Sequence, residues 1–300
     1  MKIALVVAGG VDRSGVDRVV PVYLALIKRL ASRHDLHVFA MRQEAGVSQW
    51  DLLGARVHNI GTARGRWRRF LSHFAAEHRA GRFEIVHAIH GWEAAYAASA
   101  AWRHDLPLLF QASGGEFVSM PDYAYGMRSS IVGRIVLRVA LAAAMRVTVE
   151  SEYMRRLAEP LGVRPLIVPL GVDLFEWPAA EVRTRDPKRP LRLLHIGDIR
   201  PVKDQATLLA AASMLRARGI RFELDVAGFD TMRGAVQRCD AAVGLGAAVR
   251  WHGSLRRPAL RALMDEADML VISSRHEADP LVLLEAAIAG VPTVGTAVGH

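Results

Sequence analysis

Glu277 and Glu285 stand in the stretch SSRHEADPLVLLEAAIAGVPTVG, separated by seven residues that include a proline. Asp279 is a residue type that caps helices and Pro280 one that opens them, so the stretch predicts a helix from Pro280 to Gly290 with Glu277 in the loop before it. Leu281 and Glu285, four apart, share a helix face, which sets Glu285 roughly 6 Å along the axis from the helix mouth. The first-turn amides, those of Leu281 and Val282 among them, lack intrahelical acceptors and lie at the positive end of the helix dipole, a place for an anion. Two carboxylates on either side of an anion site suit a ligand with hydroxyls at both ends and an anion in the middle, which is the layout of a nucleotide-sugar.

A second anion trap stands in HIGDIRPVKDQ, where a predicted strand passes through a loop carrying Arg200 and Lys203 into a helix start. An exposed basic loop with Lys203 merely beside Asp204 is the plain alternative. Lys203 is one of only four lysines among 39 basic residues, which favours a role for it. Near the chain start, VVAGGVDRSGVDRVV places Gly9, Gly10 and Gly15 where a backbone bends tightly and approaches a ligand, although the spacing is not Gly-x-Gly-x-x-Gly and an ordinary strand-to-helix turn fits equally well. His90 closes EIVHAIHGW at the carboxyl end of a predicted strand, where ligands of α/β sheets bind, whereas His87 reads as a core histidine.

The elements that must hold these residues alternate short Val-, Ile- and Leu-rich runs with longer helical patterns, the pattern of parallel sheets covered by helices. KIALVVA, DLHVFAM, FEIVHAI, LPLLFQA and MRVTVE are strand candidates of a first domain, residues 1–170. A proline- and charge-rich seam at 171–190 reads as a linker. LRLLHIG, RFELDVAG, AVRWHG, DMLVISS and VPTVGT then give a second domain, 191–300. That domain stops just after a strand, where a covering helix is expected, so it reads as incomplete. A length of 300 residues, half of them apolar, supports two cores, and the single cysteine, Cys239, leaves no disulfide framework and fits a reducing cytoplasm.

HGW at 90–92, VTVESEYMRRLAEPLGV from 147, VPLGVDLF from 168, HIGDIRPVKDQATLLAA from 195 and the Glu-x7-Glu stretch follow one another in an order and spacing that resembles glycosyltransferase family 4. The resemblance covers almost the whole chain. It implies an α/β fold of the GT-B type, two Rossmann-like domains facing across a cleft. It also implies transfer of a sugar from a nucleotide-diphosphate-sugar donor to an acceptor hydroxyl, with retention and without a metal or other cofactor. By the same resemblance Arg200 and Lys203 hold the diphosphate, Glu277 approaches the sugar hydroxyls, Glu285 approaches the ribose, and the Gly9–Gly10–Gly15 loop and His90 face the ligand. Many members place a histidine after the strand PLLFQA, where this chain has Ser113. Serine can still donate a hydrogen bond there, with Gly114 and Gly115 amides beside it, but lacks histidine's charge. EADPL also stands where a glycine-rich EGFGL is common.

Competing readings lack their residues. No tyrosine begins Tyr-x-x-x-Lys, MDEADML has no Gly-x4-Gly-Lys to accompany it, and no His-Glu-x-x-His metal motif occurs. A non-hydrolysing nucleotide-sugar epimerase of the same fold and a nucleotide-sugar-binding pseudoenzyme remain as alternatives, which turnover separates from binding alone. The net charge of +9 suits an anionic membrane surface, and nucleic acid is not expected as a partner. In RGRWRRFLSHFAAEHRAGR, Trp67, Phe70, Leu71 and Phe74 form a helical stripe that reads first as core-facing, with arginines around it able to lean on anionic lipid. The acceptor, whether lipid-linked sugar, glycan or small alcohol, is not written in the sequence.

Overall fold

Apolar runs too short for helices become inner strands buried on both faces, as parallel sheets require. The computed structural model describes residues 1–180, 186 and 188–299 and divides into two units, Met1–Leu170 and Gly171–His300. The first unit contains, in order, β1 (Lys2–Val7), α1 (Pro21–Ala31), β2 (Asp35–Ala40), β3 (Ser48–Leu52), β4 (Ala55–Asn59), α2 (Arg66–Ala80), β5 (Ile85–Ile89), α3 (Gly91–His104), β6 (Leu108–Gln111), α4 (Ile131–Ala143), β7 (Arg146–Val149), α5 (Glu152–Ala158) and β8 (Leu166–Ile167). Its strands lie in the order β3-β4-β2-β1-β5-β6-β7-β8, parallel except for β3. The second unit contains β9 (Leu191–Ile196), α6 (Gln205–Ala217), β10 (Phe222–Ala227), α7 (Ala235–Val243), β11 (Val249–Gly253), α8 (Arg257–Glu266), β12 (Met269–Ile272), α9 (Leu281–Ile288) and β13 (Thr293–Gly295). Its strands run β11-β10-β9-β12-β13, all parallel.

Strand alternation decides which residues meet which helix. Ile3, Leu5 and Val7 of β1, with Leu36, Val38 and Ala40 of β2, pack on Tyr23 and Ile27 of α1. On the opposite face Phe39 meets Phe70 and Phe74 of α2, with ring centroids 5.6 and 5.5 Å apart. Phe70, Leu71 and Phe74 of the α2 stripe are therefore a core face, as the spacing suggested, whereas Trp67 at its start is 43% exposed, its indole N–H donating to Ser99 Oγ at 3.1 Å. In the second unit Leu193 of β9 joins one core with Leu208 and Leu209, and Leu194 joins the other with Leu270 and Ala286.

Three local expectations are corrected. The β3–β4 hairpin was not anticipated, because its turn is Leu53–Gly54 with φ of 52° and 86°, and leucine rarely occupies that region. α9 begins at Leu281 rather than Pro280: Pro280 takes the extended cap position at ψ 103° and no side chain caps the helix. In the stretch expected as a linker, Trp177 is buried with Met264, Ala286 and Ala289 in a core of the second unit, its indole N–H donating to the Glu285 carbonyl at 2.9 Å. Residues 181–185 and 187 of that stretch, and His300 of the expected second domain, lie outside the described residues.

Candidate functional site

In each sheet the chain reverses its direction of winding once. From β1 it moves outward to β2 and from β5 to β6 on the other side; in the second sheet β9 leads to β10 and β12 to β13. Between such strands the connecting helices diverge, and the carboxyl-end loops border a crevice where α/β sheets take ligands. The loops after β1, β5, β9 and β12 carry most of the residues singled out from the sequence.

In the second unit the loop after β9 is pinned before it reaches Lys203. Burial pushes His195 down to about 4, so it is neutral; its Nδ1–H donates to the Val271 carbonyl at 2.9 Å, and its Nε2 faces the Gln205 amide nitrogen at 3.2 Å. That amide also donates to the Asp198 carbonyl at 3.0 Å. Gly228 lets a neighbouring loop lie flat against this one, since a Cβ there would stand 2.0 Å from the Gly197 oxygen. Arg200 is exposed, ahead of a 3-10 turn at Pro201–Lys203. Lys203 Nζ donates to Glu277 Oε1 at 2.6 Å, and the Ser274 hydroxyl donates to the same oxygen at 2.5 Å. The two loops are further joined by Ser273 Oγ to the Lys203 carbonyl at 2.8 Å and by Arg275 Nε to Asp204 Oδ2 at 2.5 Å. Thus Lys203 is oriented by Glu277 across the loop pair rather than resting beside Asp204, which instead caps α6.

Glu285 lies on α9 with only 12% of its side chain exposed, and Arg257 approaches its carboxylate at 3.4 Å. Burial raises its pKa and Arg257 opposes that. Glu285 is therefore not part of a solvated helix face. Leu281 and Val282 form the first turn of α9 and are half-buried; Leu283 turns its amide onto the Pro280 carbonyl at 2.9 Å.

In the first unit His90 has φ 74° and ψ 153°, a conformation costly for a side chain with a Cβ. It is held there from both ring nitrogens, with Nδ1 3.1 Å from Glu116 Oε1 and Nε2 2.8 Å from the Tyr23 hydroxyl. Burial pulls the His90 pKa down, but the hydrogen bond and charge of Glu116 outweigh it and the net shift is upward. Glu116 is buried, which pushes its pKa up, yet His90 and the amides it binds bring it below the usual carboxylate range. Gly91 and Gly114 amides donate to Glu116 at 3.3 and 2.8 Å. Ser113 donates its hydroxyl to Glu150, which also accepts from Gln111 at 3.1 Å, while His87 sits 3.1 Å from Gln111 as a neutral core histidine with its pKa lowered to about 4 by burial. Burial raises Glu150 to about 7, and its second oxygen has no partner among the described residues. The Ser113 hydroxyl and the Gly114 amide, expected to donate toward a ligand, are therefore committed to carboxylates of the fold.

The glycine loop is similarly occupied. Gly10 needs its φ of 80° and its missing side chain, since a Cβ would lie 2.6 Å from Val20 Cγ2. Its amide and that of Val11 donate to Gln43 Oε1 at 2.6 and 3.0 Å, so two donors of this loop are already used. Gly9 stands against Gln43, and Gly15, at φ 65°, closes a turn on the Asp12 carbonyl at 3.0 Å. Sequence reasoning missed Glu116, Glu150, Tyr23 and Ser274, although an acid directly after Ser-Gly-Gly at a strand end was a signal for Glu116. It also missed His37, His58 and Glu77, whose potential ligand atoms gather within 4.8 Å on the α2 side of the first sheet. There the two histidines contact each other at 2.9 Å and stack, and burial followed by the charge of His37 lowers His58 to about 3.

The Glycosyltransferase Family 4 profile matches residues 19–175, and the Glycosyl transferases group 1 profile matches residues 179–300. A glycogen synthase of Mycobacterium tuberculosis is 27% identical over 290 residues, covering 91% of this chain and 64% of that protein. A D-inositol 3-phosphate glycosyltransferase of Geodermatophilus obscurus is 28% identical over 246 residues, covering 75% of this chain and 54% of its own length. The chain thus spans less than two thirds of these curated relatives. Among solved structures, sucrose-phosphate synthase of Thermosynechococcus elongatus superposes with a TM-score of 0.80 at 17% identity, over 99% of this chain and 82% of that one. HepE of Anabaena, in complex with UDP-glucose, gives 0.75 at 15% identity over 100% and 81%. These neighbours share the GT-B fold, and with the profiles they show that the chain belongs to glycosyltransferase family 4.

Proposed function

We propose that this chain carries the donor site, and part of the acceptor side, of a hexosyltransferase-type glycosyltransferase that moves a sugar from a nucleoside diphosphate to an acceptor hydroxyl with retention. The observation that carries the reading is the Lys203–Glu277 pair at the crevice of the second sheet, 2.6 Å apart and adjacent to the first turn of α9. An ammonium and a carboxylate fixed side by side offer opposite polarities to one ligand: the ammonium faces diphosphate oxygens, and the carboxylate accepts from sugar hydroxyls. Arg200 adds a second cation on the same loop. As the sugar leaves, negative charge accumulates on the diphosphate, and prepositioned cations and helix amides stabilise that state more than the ground state. These residues supply the neutralisation, so the reaction we propose needs no metal. The UDP-glucose held by HepE supports a nucleotide-sugar donor of this kind. On the first unit, His90 with Glu116 forms a polarised pair suited to an acceptor or to the reacting sugar, and we place the enzyme in the cytoplasm at an anionic membrane surface. Calorimetric titration of this chain with UDP, ADP and GDP tests the reading. Saturable binding of at least one is expected, and no heat with any of the three would sink it.

A further inference from the structure

The helix α4 faces the wrong way for a water-exposed surface. Its inward side, Gly133, Leu137 and Ala140, is small and buried, and Ser130 caps it by accepting from the Gly133 amide. Its outward side carries Ile131, Ile135 and Val139 at i, i+4 and i+8, with Val132 beside them, exposed by 69, 54, 47 and 61%. That is a continuous apolar stripe, about 12 Å long from Ile131 to Val139 on a helix of 13 residues. Arg134 and Arg138 line one edge, both exposed and without an ion pair among the described residues. Arg128 precedes the helix and Arg146 follows it, and residues 123–149 contain no aspartate or glutamate. Several arginines elsewhere are neutralised, Arg155 by Glu152, Arg189 by Asp268 and Arg250 by Asp225.

An exposed apolar stripe edged by unpaired arginines is the layout of a helix lying in a lipid interface, with its side chains in the acyl boundary and its cations among anionic headgroups. Charge complementarity selects the occupant. A purely apolar partner would leave Arg134 and Arg138 beside the contact without counter-charges, whereas an anionic bilayer supplies them. The arginine-rich α2 is a weaker candidate. Phe70, Leu71 and Phe74 of its stripe are in the core, with Trp67 exposed at its start, and Arg69 spends its guanidinium on the carbonyls of Ile60, Ala63 and Arg64.

We infer that the outward face of α4 is the membrane-docking surface of the protein, specific for anionic lipid and lying parallel to the bilayer. The inference rests on the proposed anionic-surface reading and locates it. The test is co-sedimentation of the 300-residue chain with vesicles of phosphatidylcholine alone or mixed equally with phosphatidylglycerol. Variants Ile135→Asp with Val139→Asp, and Arg134→Ala with Arg138→Ala, change only exposed side chains, and circular dichroism confirms that they fold. The parent should partition at least tenfold better onto anionic vesicles; the aspartate pair should lose that binding, and the alanine pair should lose the preference for anionic lipid. In a Cys239→Ser background, a polarity-sensitive dye on Ile135→Cys should shift to the blue with anionic vesicles only. Failure of the parent to bind would remove the membrane reading itself. Parental binding that survives in both paired variants would leave that reading intact and overturn the assignment to α4. A concentration-dependent dimer abolished by the aspartate pair would show that a second copy is the occupant, and would also overturn it.

Discussion

At the crevice of the first sheet a histidine is clamped between Tyr23 and the buried carboxylate of Glu116, whereas at that of the second a lysine reaches across a loop pair to Glu277. Both pairs join loops that follow neighbouring strands. Lys203–Glu277 spans the reversal between β9 and β12, whereas His90–Glu116 joins the loops after β5 and β6, and Tyr23 of α1 brings the other side of the reversal to the histidine. Their surroundings differ. Glu93, Glu116 and Glu150 are all buried around His90, and burial is the first cause acting on the pKa of each. Around Lys203 the carboxylates of Glu277 and Asp204 are largely covered but are each held by a cation, Lys203 and Arg275, and Arg200 stands exposed on the same loop pair. The second crevice thus presents cations at its loops, Arg200 among them exposed. At the first, Glu116 and one oxygen of Glu150 answer to neighbouring parts of the fold. The same strand arrangement therefore carries the loops proposed to recruit an anion in one unit and a buried cluster of carboxylates around a clamped histidine in the other.

The sharpest way to break this contrast is to remove Glu116. Glu116→Ala deletes the partner of the His90 ring and the acceptor of two loop amides, leaving a charged group and two donors unpaired. Breaking a buried ion pair from one side costs about 3–5 kcal/mol. Urea unfolding followed by circular dichroism should show a loss of that size, while affinity for nucleoside diphosphate, assigned to the second unit, holds in the folded protein. A loss below about 1 kcal/mol would mean that Glu116 behaves like a surface charge.

Glu150 should report itself through pH. Its folded pKa is raised by burial from the ordinary 4.5 to about 7. Between those values the folded chain holds a proton that the unfolded chain has released, so stability is greatest below the lower value and falls as pH rises through the upper one. The whole shift corresponds to roughly 3 kcal/mol. In Glu150→Gln this part of the slope should vanish, measured as the difference in urea midpoint from the parent between pH 4.5 and 8. Parallel curves for the two proteins would contradict the burial argument.

The division between legible and hidden features follows from which interactions are local. Strand alternation, the two sheets and the loop positions of Arg200, Lys203, Glu277 and His90 are set by patterns of a few residues, and the sequence displays them. Glu150 acquires meaning only when the ends of β6 and β7 converge, which no spacing announces, and Glu116, marked in the sequence only by its place after Ser-Gly-Gly, gains its partner only beside the end of β5. Ser113 was expected to donate to a ligand, and only the fold reveals Glu150 as its acceptor. Trp177 hides in a stretch whose prolines and charges suggest a linker. On α4 the apolar spacing is that of any amphipathic helix; which side looks outward is decided by what packs beneath Gly133 and Leu137.

The anion-recruiting half of the contrast can be sharpened at its cations. Lys203→Ala removes an ammonium that donates to Glu277 and, in the proposed complex, to the diphosphate. Arg200→Ala removes the second cation. Each should weaken nucleoside diphosphate binding by about 1.5–3 kcal/mol, the range for hydrogen bonds to charged groups, as read by calorimetry. Parental affinity in both variants would remove the diphosphate from this loop.

The smallest expected effect discriminates most finely, because Glu277 and Glu285 bracket the start of α9 yet differ in surroundings. Glu277 is bound by Lys203 and Ser274 within the loop pair, so it contacts the group assigned to the diphosphate. Glu285 faces only Arg257 at 3.4 Å and has its pKa raised by burial, so part of its hydrogen-bonding capacity is unused. If the ribose hydroxyls donate to Glu285, Glu285→Gln should weaken nucleoside diphosphate binding by about 1 kcal/mol, the net value of an ordinary hydrogen bond. The loss should shrink as pH falls, because burial raises the pKa of this carboxyl and its protonation removes the charge that glutamine also lacks. Glu277→Gln keeps an acceptor for Lys203, so it should leave diphosphate affinity nearly unchanged and lower kcat instead, since the missing charge belongs to the sugar and its transition state. Calorimetry on both variants at pH 5 and 8, followed by turnover with the sugar nucleotide of the tightest-binding base, separates the two roles. The opposite pattern, with affinity lost at Glu277 and turnover lost at Glu285, would reverse the orientation of the donor along α9 while leaving the crevice of the second sheet as its seat.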